Sequence, residues 1–198
     1  MGNINKITLT IEMPKYLQHY IKYVFLSGNN ACNSINNFNQ FLEATLEIRP
    51  KDICFVKPEN SDDLFTFELP RLRYKDPLYY NYINPNNNKI LIEAMKIMFE
   101  TSLFSYMVQT MKFDYIIEQE RIRCHHGERE RTMKEFCYYN RIPFDDLDFD
   151  YLKKRFTRFM QLHKNYILDV KQLSIHFVKT RKEYHESSKI KSKQYKMF

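Results

Sequence analysis

The sequence predicts an α+β fold: a small antiparallel sheet with helices, followed by a helical unit. Three observations predict it. Residues 6–12 and 63–69 alternate apolar and polar side chains with the period of a strand. From Lys89 to Tyr139 apolar residues recur at helical spacing, with no proline before Pro143. Finally, 43% of the 198 residues are hydrophobic, including 16 Phe and 15 Tyr, which is enough to build a core.

The elements follow in order. Lys6-Ile7-Thr8-Leu9-Thr10-Ile11-Glu12 reads as a half-buried strand. Met13-Pro14 opens a helix, because proline in a first turn forfeits no hydrogen bond, and Leu17, Tyr20, Ile21, Val24 and Phe25 mark its inner face up to Ser27-Gly28. Six asparagines between Asn29 and Gln40 predict a loop leading into a short helix over 38–46. Ile53–Val56 is a weaker strand, joined by a turn over 57–63 to the strand 63–69. Arg71 to Ile83, with Tyr74, Tyr79, Tyr80 and Tyr82, links the two halves, and Asn84-Pro85 punctuates its end. Beyond it, helices are expected over 89–107, 115–123 and 128–139. The boundaries that result are a small α+β region at 1–84, a helical unit at 85–178 and a basic tail at 179–198.

Charge is distributed unevenly. The net charge is +7, and the isoelectric point is about 9.1. Residues 1–120 carry 12 Lys and Arg against 14 Asp and Glu, residues 121–150 carry 6 against 7, and residues 151–198 carry 13 against 3. The basic excess belongs to the last quarter, where a polyanion would be met. Only three glycines occur, so neither a P-loop nor a dinucleotide-binding loop can be written. No window approaches the roughly 18 apolar residues of a membrane span, so no membrane association is expected. The opening residues lack a basic region followed by an apolar one, and four cysteines are too few for a disulfide scaffold. A cytoplasmic setting with reduced thiols is the expectation.

The most informative segment lies late in the chain. Met133, Phe136, Cys137 and Asn140 share a helical face, residues 141–147 break the pattern at Pro143, and a new helix starts near Asp148. At about 100° per residue, Phe149, Leu152, Phe156, Phe159, Met160, His163, Ile167 and Val170 form its apolar arc. The opposite arc collects Tyr151, Lys154, Arg155, Arg158 and Gln161, flanked by Lys153 and Lys164. These seven residues are the candidate nucleic-acid-binding set.

Over residues 131–161 this layout resembles a helix-turn-helix, in which the second helix enters the DNA major groove. It departs from that pattern in a longer break without glycine and in Asp145, Asp146, Asp148 and Asp150 around the second helix start. Carboxylates there repel phosphates and suit capping, so the body of the helix is the better contact. The run Ile7 to Pro14, taken with Lys134-Glu135-Phe136 and Asp148 to Phe156, also resembles small accessory proteins of bacterial phages and integrated elements. That resemblance implies an intracellular, element-encoded accessory role.

Other constellations lead elsewhere. Cys124-His125-His126 with Cys137 lacks the spaced pairs of a structural zinc site. His125, His126, Glu128 and Glu130 carry acid–base groups, yet dense Glu and Arg alternation reads as a solvated helix face. Counted from Asp146, the EF-hand positions for glycine and glutamate hold Tyr151 and Thr157. Arg71, Arg73 and Lys75 among tyrosines suit base stacking, but packing of the rings is preferred. The opening strand resembles that of a ribbon-helix-helix protein, in which two copies pair, although only Lys6 of its outward residues is cationic. The reading is therefore a non-enzymatic nucleic-acid-binding accessory or regulatory protein, for double-stranded DNA, with no cofactor. Its alternative is a protein-interaction or structural protein of a phage or mobile element. The tail cations Lys179, Arg181, Lys182, Lys189, Lys191, Lys193 and Lys196 would add affinity without sequence preference, and the oligomeric state is left open.

Overall fold

The computed structural model describes residues 7–26, 32–51, 63–125, 127–145, 147–171, 175–183 and 185, and the chain is a mixed α+β protein. Its contacts divide it into two units, Met1–Phe99 with Asn140–Asp146 and Glu100–Tyr139 with Leu147–Phe198. The division falls inside a helix rather than in the linker that precedes it.

In the first unit, strand β1 (Thr8–Glu12) pairs antiparallel with β3 (Leu64–Glu68), Leu9 opposite Phe67 and Ile11 opposite Phe65. These four side chains are buried while Thr8, Glu12, Thr66 and Glu68 are exposed, as period-two alternation requires. The opening strand thus finds its partner in its own chain, which corrects the two-copy ribbon considered for it. Pro14 occupies the N-cap, one residue ahead of helix α1 (Lys15–Ile21), and a turn of π-helix continues over Lys22–Leu26. Helix α2 spans Cys32–Thr45, beginning six residues before the expected start. Asparagine costs a helix only a fraction of a kcal/mol per residue, and buried Phe38, Leu42 and Leu46 at four-residue spacing hold the element down.

The tyrosine-rich linker contributes a short strand, β4 (Tyr80–Tyr82), paired with β2 (Glu47–Ile48). Tyr80 and Tyr82 are half-buried there, but Tyr74 and Tyr79 are exposed, so the expected packing of the rings holds for part of the cluster only. The strand 53–56 and the turn residues 57–62 lie outside the described residues.

Helix α3 (Pro85–Thr110) starts where proline fits and asparagine caps: the Asn87 N–H donates to Asn84 Oδ1 at 2.8 Å. Glu47 Oε1 accepts from the Asn84 and Asn87 amides, both at 2.7 Å, and so pins that start. Leu91, Met95 and Phe99 are buried, and Phe99 meets the Tyr16 and Tyr20 rings edge-on at 5.2 and 5.4 Å.

In the second unit the α3 ridge continues through Leu103 and Met107 to Met111, one residue past the helix, all buried. The helix expected over 115–123 is instead a β-hairpin. Strands β5 (Phe113–Ile116) and β6 (Arg121–Cys124) pair antiparallel across a 3-10 turn at Ile117–Gln119, with Glu120 left-handed at φ 49°. Alternation decides it, since Ile122 and Cys124 are buried while Arg121 is exposed. A third strand, β7 (His176–Val178), joins β5 in parallel, so this half is not purely helical. Helix α4 (Glu128–Tyr139) forms as expected and buries Met133, Phe136 and Cys137.

Helix α5 (Phe149–Leu162) ends at His163, whose backbone leaves the helical region before α6 (Lys164–Val170). The single rod expected through Val170 is thus broken. Leu152, Phe156, Met160 and Ile167 are buried as expected, whereas His163 and Val170 are exposed. Among the described residues no helix is long and apolar enough to cross a membrane.

Phe156 is fully buried, its ring 5.3 Å from Phe104 and 6.1 Å from Phe159. Phe156→Ala is expected to destabilise the fold by about 3–5 kcal/mol in urea unfolding. Tyr138→Ala, at a residue 74% exposed, should stay within about 0.5 kcal/mol.

Candidate nucleic-acid interface

Helix α5 presents six of the seven predicted residues, and Lys164 opens α6; the start of α5 is capped and its inner face is fixed. Asp148 Oδ1 accepts from the Tyr151 N–H at 2.8 Å, which fills the capping role expected of these aspartates. Asp150 pairs with Lys153 instead, Asp145 is exposed, and Asp146 lies outside the described residues. The segment Asn140–Asp146 between α4 and α5 belongs to the first unit and buries Ile142. It is a longer path than the three- or four-residue turn of a helix-turn-helix.

The cations of α5 divide into two groups. Lys153 lies 2.7 Å from Asp150 Oδ1 and 3.1 Å from Glu130 Oε2. Arg155 donates from Nε (3.0 Å) and Nη2 to Glu100 Oε2 on α3, and its guanidinium packs over the Tyr151 ring at 5.9 Å. Lys164, at the start of α6, stands 3.4 Å from Glu120. Lys154 and Arg158 are exposed and make no ion pair among the described residues. The continuous basic stripe expected here is therefore a mosaic, with two unpaired cations one turn apart beside exposed Tyr151 and Gln161.

The paired groups respond electrostatically. Hydrogen bonds from Lys134 and then Lys153 lower the Glu130 pKa, and the bond from Lys153 lowers that of Asp150. Lys153 is raised in turn, by Asp150 first and Glu130 second. Glu100 likewise raises Arg155. Asp150 was legible as a partner because it sits three residues from Lys153. No sequence signal pointed to Glu100, 55 residues before Arg155.

A second polar group gathers on the three-stranded sheet. Asp114 of β5 is 1% exposed, with His125 Nε2 at 3.4 Å from its Oδ2 and His176 Nδ1 at 3.3 Å from its Oδ1. The parallel strand β7 brings His176 there, a contact that spacing along the chain did not suggest. The acid–base set considered from sequence is arranged otherwise: Glu130 turns to Lys134 and Lys153, and His126 lies outside the described residues. Burial pushes the thiols of Cys124 and Cys137 up to about 11 and about 12, which disfavours their thiolates. Among the described residues no group of three or more His, Cys, Asp or Glu could hold a metal ion.

Carboxyl groups lowered in this way keep their pairs above the ordinary carboxylate range and lose them as pH falls through the lowered values. Lys153→Gln should move the carboxyl midpoints of both Asp150 and Glu130 upward in an NMR pH titration. Asp150 should move further, since Lys134 still serves Glu130. The unfolding midpoint should hardly change, because exposed ion pairs contribute little.

Comparison with family models, with curated proteins and with solved structures returns no match, so the functional argument rests on these residues.

Proposed function

We propose that this chain is a non-enzymatic nucleic-acid-binding accessory or regulatory protein that works in the cytoplasm and engages double-stranded DNA through the outer face of α5. The observation that carries the reading is the pair Lys154 and Arg158, four residues apart on one helix face, exposed and in no ion pair among the described residues, with Lys154 feeling only the more distant field of Asp150. Two such cations lie about 6 Å apart along the helix, within reach of neighbouring phosphates. Gln161 adds a donor and acceptor one turn further on, and Tyr151 adds a ring and a hydroxyl. Arg155 and Lys164, each already facing a carboxylate, have less to offer a phosphate, because binding must displace that partner. With Asp148 and Asp150 at the helix start, contact runs along the side of the helix, which positions the protein on the backbone rather than reading bases. Lys179, Arg181 and Lys182 are exposed further cations, while Lys189, Lys191, Lys193 and Lys196 lie outside the described residues.

A second reading, a protein-interaction or structural protein of a phage or mobile element, is favoured by the exposed Leu162 (81%) and Tyr139 (62%) beside the same helices.

The two are separated by salt. Affinity for duplex DNA should fall linearly on a log–log plot with salt, and Lys154→Ala or Arg158→Ala should each reduce the slope by about 0.9. Arg155→Ala and Lys164→Ala should change it less. Fluorescence anisotropy between about 50 and 200 mM salt measures this. Absence of binding at the lowest salt removes the proposal, and equal slopes for all four variants move the contact away from α5.

A further inference from the structure

The stretch between β3 and β4 presents rings that the core does not use. Tyr74 is 74% exposed and Tyr79 61%, with Leu78 exposed beside them. Singly exposed apolar side chains are ordinary on a protein surface, but here Tyr74, Leu78 and Tyr79 fall within one short connection. Ile48 of β2, also exposed, is the register partner of Tyr80. The backbone of this irregular stretch is fixed by hydrogen bonds. Glu43 Oε1 accepts from the Tyr74 N–H at 2.9 Å, and Asp76 Oδ1 accepts from the Leu78 N–H at 2.9 Å. Asp76 O accepts from the Tyr79 and Tyr80 N–H groups at 3.0 and 2.9 Å, and Lys75 Nζ donates to Leu46 O. Rings on a fixed backbone, with two side-chain torsions each, cost little entropy to immobilise on binding.

Cations accompany the rings. The Arg73 guanidinium lies 5.0 Å from the centre of the Tyr74 ring, and Lys75 Nζ lies 5.5 Å from that of Tyr80. Arg71 and Arg73 are exposed and make no ion pair among the described residues. The formal charges nearly balance, with Arg49, Arg71, Arg73 and Lys75 set against Glu43, Glu47 and Asp76. Those carboxylates are turned to the protein, Glu43 and Asp76 to the amides above and Glu47 to Asn84 and Asn87. Net charge therefore does not select the occupant; the rings do. A ligand that stacks, and that brings only one or two negative charges to the arginines, suits such a face. The bases of a single strand meet this description, since every base has a π-face and stacking is tolerant of sequence.

We propose that the face bearing Tyr74, Tyr79, Arg71 and Arg73 binds single-stranded nucleic acid: two bases of one strand stack on the two rings, and the arginines meet the adjoining phosphates. This site is separate from α5 and goes beyond the reading given to that helix. A duplex keeps its bases stacked within itself and has none to offer the rings, so the two sites select different forms of nucleic acid.

The test uses the full chain with fluorescein-labelled octathymidylate and octauridylate, and with an abasic octamer of the same charge, read by anisotropy. Saturable binding of both base-bearing octamers is expected, because the contacts involve neither the 2′-hydroxyl nor a base edge. The abasic octamer should bind at least about fivefold more weakly. Tyr74→Ala and Tyr79→Ala should each weaken octathymidylate by about fivefold to a hundredfold, with unchanged circular dichroism. Tyr74→Phe keeps the ring and should bind as the native chain does. With two arginines engaged, the salt slope on a log–log plot should be shallow, about −1.4, at about 0.7 per phosphate of a single strand. None of the tyrosine variants should alter duplex affinity, so failure here is distinct from failure at α5. Four results overturn the proposal: no saturable binding of either base-bearing octamer, equal affinity for the abasic octamer, native affinity in both alanine variants, or saturable binding of an octaproline peptide in place of the oligomers, which would assign the rings to a polyproline segment.

Discussion

The structure depends most on one ridge of α3. Leu91, Met95, Phe99, Leu103, Met107 and Met111 recur every four residues, and each is essentially without solvent contact. Burying a side chain of this size is worth roughly 1.5–3 kcal/mol, so the ridge stabilises both units from one continuous element. A four-residue repeat drifts against the 3.6-residue turn, and the drift shows in composition. Phe99 of the ridge meets the tyrosines of α1, while Phe104, further along the same helix, meets Phe156 and Phe159. Capping of that helix by Asn84, with Glu47 gripping its first turn, therefore matters beyond the local bonds it makes.

Against this scaffold, the surface of α5 is decided by carboxylates supplied from elsewhere. Glu100 projects from the same α3 helix, with a side chain only 13% exposed, and holds Arg155 by two donors. A carboxylate so placed needs a countercharge, and Arg155 supplies it. Lys153 is shared between Glu130 of α4 and Asp150 of its own helix. These pairs leave Lys154 and Arg158 as the places where a phosphate could be matched without breaking an existing contact. The electrostatic excess of residues 151–198 is real as a sum, but its local value on the helix is smaller than composition suggests.

How much of this was legible follows from the range of each interaction. Strand β1, the strand 64–68, α4 and the inner face of α5 were readable because alternation and helical spacing are local signals. The 113–124 hairpin was not read, because Ile117-Glu118-Gln119-Glu120 joins two short runs without the glycine or asparagine that usually marks a hairpin turn. Glu120 adopts the left-handed conformation in their place. The break at His163 was hidden by an apolar spacing that continues unchanged to Val170. Six of the seven candidate residues share one helix, as their spacing predicted, but which of their charges are paired is set by Glu100 and Glu130, and contacts of that separation leave no mark in the local pattern. The polar group around Asp114 was invisible for the same reason, since a parallel strand returning more than 60 residues later supplies His176.

If the proposed reading holds, the placement of unpaired charge bears on the kind of binding as well as its site. Duplex DNA carries one charge per roughly 1.7 Å of axis, so the roughly 6 Å between Lys154 and Arg158 spans more phosphate charge than two cations can neutralise. A ridge built to hold DNA tightly by itself would not sequester Arg155 and Lys153 in ion pairs. On the proposed reading, two cations fixed on one helix would do something narrower: they would set where and at what angle a backbone is met. On that reading the further cations of residues 179–198 would supply affinity without geometry. On the proposed reading, α5 would orient and the basic C-terminal residues would attract, with the aspartates at the helix start directing contact to its side rather than its end.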